Sequence, residues 1–269
     1  MTTTPDMQVW IDGVGFIAPG MPDWPSAREV LAGRQSWVSA PSVLPPPLLL
    51  PPAERRRASR VICVALALGQ EAVTHAGANA ADLATVFAAS GADGHNCHAL
   101  CEQLASDDRQ ISPTRFHNSV HNAAAGYWGI ATHSMAPCQV ICAGDGSFGA
   151  GLLDAVSQVV VDRRAVLLVV YDSEYPEPLH AKRPIPDAAG VALVLSPQPS
   201  GHSLANMSLR SANGLELAPW SESGLESLHS QLPSMRALPL IQALACGRSG
   251  TVLTDYLPGF PLALDLQPC

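Results

Sequence analysis

The chain has 269 residues, of which only 14% are charged, and its formal net charge is −8 at pH 7. This acidic balance argues against nucleic acid as a main partner, and no apolar run reaches the roughly 18 residues of a membrane span. The N-terminus lacks the basic and apolar segments of an export signal, so the seven cysteines are expected to remain reduced in the cytoplasm.

The first half of the chain predicts alternating strands and helices. A strand over 9–17 precedes a proline-dense loop over 39–53, and a helix then runs from 53 to about 76. A buried strand is predicted over 84–90, helices over 98–105 and 119–132, and a strand over 139–143. The basic cluster Arg55–Arg57 begins the long helix and is interpreted as a solvated edge, with an anion-docking patch as the alternative.

The second half begins with a glycine-rich corner and a helix, followed by continuous apolar strands over 165–171 and 189–195. Beyond Pro197 we expect a strand over 204–209, helices over 222–230 and 237–246, and strands over 251–256 and 261–266. This alternation predicts an α/β fold with a mostly parallel central sheet flanked by helices. We expect one domain over 1–269, in which 198–269 form a short C-terminal α+β extension.

The corner over 144–149 is the most informative local motif. Its sequence matches G-x-G-x-x-G between a strand and a helix, and Asp172 ends the next strand, so a nucleotide-dependent oxidoreductase using this loop stays open. A serine-hydrolase elbow fails because the position two before Ser147 is Asp145 and not glycine. A Walker loop is excluded because Lys182, the single lysine of the chain, lies far from any such loop.

Three segments carry a family resemblance. The stretch over 112–126 contains Phe-His-Asn-Ser-Val-His-Asn-Ala, the opening 11–20 reads Ile-Asp-Gly-Val-Gly-Phe-Ile-Ala-Pro-Gly, and Glu-Arg-Arg-Arg over 54–57 heads a helix. Together they resemble the β-ketoacyl synthase family over residues 9–197, in the family's order and spacing. Within it, Ser-Phe-Gly-Ala-Gly-Leu-Leu-Asp-Ala over 147–155 is most similar to short ketosynthase-like chain-length factors of aryl polyene and related systems.

This resemblance implies a thiolase-like fold of which the chain supplies the N-terminal half over 9–197. Asp145 stands where the family has its acylated cysteine, and the family's two histidine motifs are absent after Pro197. A carboxylate forms no stable thioester and repels a carbanion, so no catalytic residue is expected. The implied function is a non-catalytic subunit that pairs with a catalytic ketosynthase, reaches the acyl carrier protein through that complex and shapes the acyl tunnel.

The residues expected at the tunnel or interface lie in two stretches: Phe116, His117, Asn118, His121, Asn122, Tyr127, Trp128, Asp145, Ser147 and Phe148. Small residues over 123–126 would allow close helix approach, with Tyr127 and Trp128 as large anchors; the alternative is a helix packed within the same chain. His121 is expected to be a hydrogen-bonded structural histidine.

Cys142 leaves a further alternative, an atypical condensing acyltransferase, although this thiol is expected to be a small buried residue of the strand. His95, Cys97, His98 and Cys101 form a concentration of soft ligands that could chelate zinc, but a paired second cluster is missing. We therefore interpret them as incidental and expect no metal and no cofactor.

Overall fold

The computed structural model describes residues 7–212, 215, 217, 220 and 224–269, which form one mixed eight-stranded sheet covered on both faces. The strands are β1 (Gln8–Ile17), β2 (Ala84–Ala88), β3 (Cys138–Ile141), β4 (Val166–Asp172), β5 (Ala189–Ser196), β6 (Ala205–Ser211), β7 (Gly250–Leu257) and β8 (Phe260–Pro268). Their order across the sheet is β3-β2-β4-β5-β1-β6-β8-β7.

Strand direction differs from the prediction. β2 runs parallel to β3 and β4, whereas all the other neighbouring pairs are antiparallel. The α/β class is confirmed, and the mostly parallel sheet is wrong. Parallel neighbours need a long crossover, usually a helix, but the segment 173–188 between β4 and β5 contains no helix and returns the chain antiparallel. β7 and β8 likewise form a hairpin.

The helices surround the sheet in chain order. They are α1 (Trp24–Leu31), α2 (Pro52–Arg55), α3 (Arg60–His75), α4 (Gly94–Ala105), α5 (Pro113–His117), α6 (Ala123–Thr132), α7 (Ser147–Asp162), α8 (Glu226–Gln231) and α9 (Leu238–Ala245). The helix predicted over 53–76 is two helices, because Ser59 takes an extended backbone (φ −79°, ψ 172°) between them. The helix predicted over 222–230 begins outside the described residues, and α8 accounts for its remainder.

Two apolar cores lie on opposite faces of the sheet. On one face α3 and α6 pack against the strands, with Phe87, Tyr127 and Trp128 among the largest buried side chains. On the other face α7 and α1 pack together with the C-terminal helices, including Leu238 and Ile241 of α9. Residues after 198 therefore extend the same sheet and complete one of its two cores. In the described ranges no helix is long and apolar enough to cross a membrane.

Candidate functional site

The glycine-rich corner lies between the end of β3 and the start of α7. Gly144 has φ +56°, which favours glycine, and 144–146 form one short 3-10 turn. The buried Ser147 hydroxyl donates to the Gly144 carbonyl at 2.7 Å and accepts from the Ala143 N–H at 3.1 Å. Ser147 therefore fixes the shape of the turn and is not presented to a ligand.

Asp145 faces solvent at the tip of this corner and is paired with a guanidinium. Its Oδ1 accepts a hydrogen bond from Nη2 of Arg183 at 2.7 Å, and Arg183 belongs to the segment between β4 and β5. Exposed pairs of this kind contribute roughly 0–1 kcal/mol to stability. The position therefore holds a fixed carboxylate beside a cation and carries no thiol.

Cys142 contradicts the expectation of a buried strand residue. β3 ends at Ile141, so Cys142 follows the strand and is exposed. Its Sγ lies 3.5 Å from the carbonyl oxygen of Ser90, the contact that joins it to the neighbouring segment. A backbone carbonyl cannot take the thiol proton, so the geometry does not activate this sulfur as a nucleophile.

Asp172 is a fully buried carboxylate beneath the corner. It accepts hydrogen bonds from the Ser90 N–H at 3.0 Å, the Ser90 hydroxyl at 2.5 Å and the Ser234 N–H at 2.8 Å. Burial raises the pKa of Asp172 to about 6, against the opposing effect of these hydrogen bonds. Asp172 joins the ends of β2 and β4 to the C-terminal 3-10 turn (Pro233–Ala237), and it is not available to bind a ribose.

The other two glycines of the motif serve packing. A Cβ at Gly146 would lie 2.1 Å from the Tyr256 carbonyl oxygen, and one at Gly149 would lie 2.1 Å from the Asp255 carbonyl oxygen. These glycines therefore let β7 lie directly against the corner, in the space where a dinucleotide loop would receive its pyrophosphate. The geometry removes the basis of the oxidoreductase alternative.

The upstream stretch places its residues in different environments. Phe116 ends in solvent with 64% of its surface exposed, and His117 and Asn122 are exposed as well. Asn118 is buried, where its Nδ2 donates to the Arg57 carbonyl at 2.8 Å and its Oδ1 accepts from the Tyr127 hydroxyl at 3.2 Å. Asn118 thus connects the segment that precedes α3 to helix α6.

Tyr127 and Trp128 are buried within this chain. Trp128 packs against Phe87 with ring centroids 6.4 Å apart, and a Cβ at Gly69 would lie 2.7 Å from its ring. The neighbouring helix α3 and the sheet cover both aromatics, as expected for the alternative of a helix packed within the same chain. The outward face of α6 carries Gly126 and Ile130 instead.

Three further expectations concern His121, Phe148 and the soft-ligand cluster. Nε2 of His121 is buried and has no hydrogen-bond partner in the part of the chain that is described, so this ring nitrogen does not make the hydrogen bond that was expected of the residue. Phe148 has no exposed surface and packs in the core with α7, so it lines no water-accessible tunnel in this chain. Within 7–212, 215, 217, 220 and 224–269, no group of three or more His, Cys, Asp or Glu residues is arranged to hold a metal ion.

Histidines of the C-terminal extension do not converge on the corner. His202 lies in a pocket with Asp12 and His75. His229 packs against Trp220 with ring centroids 5.4 Å apart and ring planes tilted by 42°, in a separate pocket of the extension. Neither pocket includes Asp145 or Cys142, so neither imidazole stands beside the position of the expected nucleophile.

Comparison with protein families decides the class of the protein. A family model described as the N-terminal domain of β-ketoacyl synthases matches residues 31–251. The chain belongs to this family. The α/β architecture is accordingly that of the N-terminal half of a thiolase-like ketosynthase, and the resemblance noted in the sequence is confirmed at this level. No curated protein matches the chain at a significant level.

Several solved structures share the fold at low identity. One is from a ketosynthase in complex with its chain length factor from Xenorhabdus doucetiae, with TM-score 0.71 and 22% identity over 96% of this chain and 99% of that chain. Another is from the ishigamide ketosynthase/chain length factor, with TM-score 0.73 and 14% identity over 97% and 99%. A third, from a type II polyketide synthase acyl carrier protein in complex with its ketosynthase, has TM-score 0.73 and 12% identity over 98% and 100%.

Sequence reasoning missed several residues that build the corner of this ketosynthase-family chain. Arg183 neutralises Asp145, Ser90 and Ser234 hold Asp172, and Tyr175 lies over the start of α4, where a Cβ at Gly91 would be 2.0 Å from its hydroxyl. Each lies dozens of residues from its partner or in a segment without a motif. No local signal in the sequence identifies them.

Proposed function

We propose that the protein is a non-catalytic ketosynthase-like subunit, a chain-length factor, that pairs with a catalytic ketosynthase in fatty acid or polyketide-type biosynthesis. An aryl polyene-like pathway is the expected setting. The observation that carries the proposal is the Asp145–Arg183 ion pair at the corner where the family has its nucleophile. A carboxylate there cannot hold an acyl group as a thioester, and its charge opposes a developing carbanion.

The surroundings of the corner support the same conclusion. Condensation needs a group to take or give protons and donors to hold the enolate oxygen. His202 and His229 line other pockets, and Cys142 contacts only a carbonyl oxygen in the hydrogen-bond pattern of the described chain. The subunit would therefore act on an acyl chain by shape, with the chemistry in the partner.

A surface for the partner is suggested at one edge of the sheet. β3 is the terminal strand, and within the described residues it pairs only with β2. Met135, with 97% of its surface exposed, lies in the segment that leads into β3, and Ile130 is exposed on the outward face of α6, the preceding helix. An open strand edge flanked by apolar surface favours association with another chain. We propose that the catalytic ketosynthase binds here and that the acyl carrier protein is reached through it.

The steric role would fall to the exposed end of α5. Phe116 projects into solvent, with His117 and Asn122 exposed near it. Once a partner covers this surface, a phenylalanine ring there can close the far end of the partner's tunnel. Asp145 would lie close to the same partner surface, whereas the buried Phe148 and Ser147 would support the corner from within.

The absence of covalent chemistry can be tested directly. Incubated alone with an acyl carrier protein thioester, the chain is expected to gain no acyl mass, whereas a co-purified ketosynthase partner gains one. Intact-protein mass spectrometry measures both, and native mass spectrometry checks the heterodimer. A Cys142→Ser variant is the control. An adduct on the isolated wild-type chain that this variant loses would instead support the condensing acyltransferase alternative.

Product length tests the steric role. Phe116→Ala in the heterodimer is expected to lengthen the main product, because removing the ring opens the end of the tunnel, and Phe116→Trp is expected to shorten it. Chromatography of the polyene or ketide products measures the length distribution. Val161→Ala is the control, since this side chain is 76% exposed and lies at the C-terminal end of α7, the end away from the corner. Unchanged lengths with an intact heterodimer would contradict the role of Phe116.

A further inference from the structure

An apolar groove of about 640 Å³ lies between α3 and the proline-dense loop before α2. Its buried side includes Ile17 at the end of β1 and Leu66 of α3, and its exposed side is formed by Val43, Leu48 and the prolines over 45–47. The volume and the apolar lining are typical of small-molecule sites. Neither the corner nor the β3 edge belongs to this groove, so the proposed ketosynthase-like function does not use it.

The loop on the exposed side is fixed at both ends by hydrogen bonds. The Ser42 hydroxyl donates to the Ala188 carbonyl at 2.6 Å. Nη2 of Arg55 donates to the carbonyls of Leu48 and Leu50 at 3.0 Å each, and the Leu50 side chain is buried. The Leu48 side chain nevertheless stays 68% exposed. Apolar side chains that a rigid loop holds in water mark a surface that binds something else.

The charged side chains of the groove are two carboxylates, Asp23 and Glu71, and no Lys, Arg or His of the described residues lines it. Glu71 accepts from the Phe16 N–H at 2.8 Å and from the Trp24 N–H at 2.7 Å, which fixes its position. Burial raises the pKa of Glu71, these two donors and His75 oppose that effect, and the nearby charge of Asp23 adds to it. The two anions therefore act on each other, and the groove itself supplies no cation to offset them.

Asp23 keeps one carboxylate oxygen free. Its Oδ1 accepts from the Ser26 N–H at 2.8 Å as the N-cap of α1. In the described ranges its Oδ2 accepts no hydrogen bond and is not buried, and no ion pair includes this residue. A donor from outside the chain can therefore reach Oδ2 without displacing an existing partner.

We propose that this groove binds a small amphiphilic amine, a hydrocarbon chain that ends in an ammonium group. The hydrocarbon would cover Leu48 and Leu49 and lie against Leu66, which removes apolar surface from water on both sides of the groove. The ammonium would donate to Oδ2 of Asp23 and lie near the charge of Glu71. A fatty acid fits less well, because its carboxylate would be a third anion in a groove without a cation.

Calorimetric titration of the full chain with octylamine, 1-octanol and octanoate tests the assignment at pH 7, because the three probes share one hydrocarbon chain and differ in charge. Octylamine is expected to bind about tenfold tighter than 1-octanol, as one charged hydrogen bond provides, and octanoate is expected to bind more weakly than either. Added salt should reduce the advantage of octylamine over 1-octanol. Equal affinity for octylamine and octanoate, or no binding of octylamine at millimolar concentration, would overturn the proposal.

Variants separate the two ends of the ligand. Asp23→Asn keeps Oδ1 for the α1 cap and is expected to remove the advantage of octylamine over 1-octanol. Leu49→Asn, at a side chain that is 50% exposed, is expected to weaken both probes by about tenfold. Asp107→Asn and Leu104→Asn, exposed positions outside the groove, are the matched controls and should change neither affinity. Unaltered binding in both groove variants would refute the assignment, and thermal unfolding confirms that each variant is folded.

A second copy of the chain is the competing occupant of the groove, and sedimentation velocity distinguishes it from an amine. A concentration-dependent dimer that Leu49→Asn dissociates and octylamine leaves intact would make the groove a protein interface and overturn the assignment. A monomer, or a dimer that Leu49→Asn does not affect, leaves the groove open to the amine and supports it.

Discussion

Gly149→Ala is expected to lower the free energy of unfolding by about 3 kcal/mol. The new Cβ would lie 2.1 Å from the Asp255 carbonyl oxygen, and because that atom is backbone of β7 it cannot rotate away. Alanine favours a helix by roughly 0.5–1 kcal/mol over glycine. A net loss of unfolding free energy would therefore come from the displacement of β7. Chemical denaturation followed by circular dichroism measures the change.

Gly126→Ala provides the matched control in another helix. No heavy atom lies within 4 Å of a Cβ at Gly126, so the substitution is expected to stabilise the chain by up to about 1 kcal/mol. If β7 lies against the corner, the two substitutions should change the free energy of unfolding in opposite directions. If Gly149→Ala were as stable as Gly126→Ala, the corner would be open, and the dinucleotide alternative would regain its phosphate-binding space.

Closure of the corner by this chain's own strand links the fold to the proposed function. Gly146 and Gly149 bring β7 against the start of α7, Arg183 pairs with the exposed Asp145, and Tyr175 covers the segment after β2. The ketosynthase corner is thus retained as a packing element. Asp145 and Cys142 at the corner, the β3 edge and the end of α5 are exposed in the described chain, where a second subunit could contact them.

The elements that the sequence predicts well are those with a direct physical signature. β4 and β5 are buried along almost their whole length, and such strands must be apolar at successive positions, which the runs over 165–171 and 189–195 display. The glycine-rich turn before α7 was likewise recognisable, because Gly144 has the positive φ that few other residues adopt.

Strand direction is not encoded in such runs. An apolar strand has the same composition whether its neighbour is parallel or antiparallel, and the direction depends on the connection. The segment 173–188 is the informative part, since it contains no helical pattern that could cross the sheet. The missing crossover helix between β4 and β5 is therefore the sequence feature that predicts their antiparallel pairing.

The candidate site was harder to predict because its contacts are between distant residues. Asp145 was identified from the motif, but Arg183 is 38 residues away in a segment without regular structure. Tyr127 and Trp128 have the composition of interface anchors, yet an aromatic residue on a helix has the same pattern whether its pocket belongs to a partner or to its own chain. Gly69, which accommodates the Trp128 ring, lies in a helix with no sequence sign of that contact.

Asp172 is expected to make stability fall as pH rises from about 4 to 6. Burial raises its pKa from 3.8 to about 6 in the folded chain, so the folded state holds this proton more tightly than the unfolded state. Its favourable contribution is complete below the unfolded pKa and is lost as the pH rises through the folded pKa. Linkage converts this shift to about 3 kcal/mol, measured as the pH dependence of chemical unfolding.

Asp172→Asn isolates this effect from the other titrating groups. The asparagine amide cannot ionise, and its NH2 group would face the Ser234 N–H, so the variant loses this hydrogen bond at every pH. The free energy of unfolding of the wild type exceeds that of the variant by an amount that shrinks between pH 4 and 6. Asp265→Asn is the control of opposite sign, because Arg210 lowers the pKa of Asp265 and its contribution is lost as the pH falls. A constant difference between wild type and Asp172→Asn would mean that Asp172 is not held in a dry interior, and the tight junction of β2, β4 and the C-terminal extension would then be wrong.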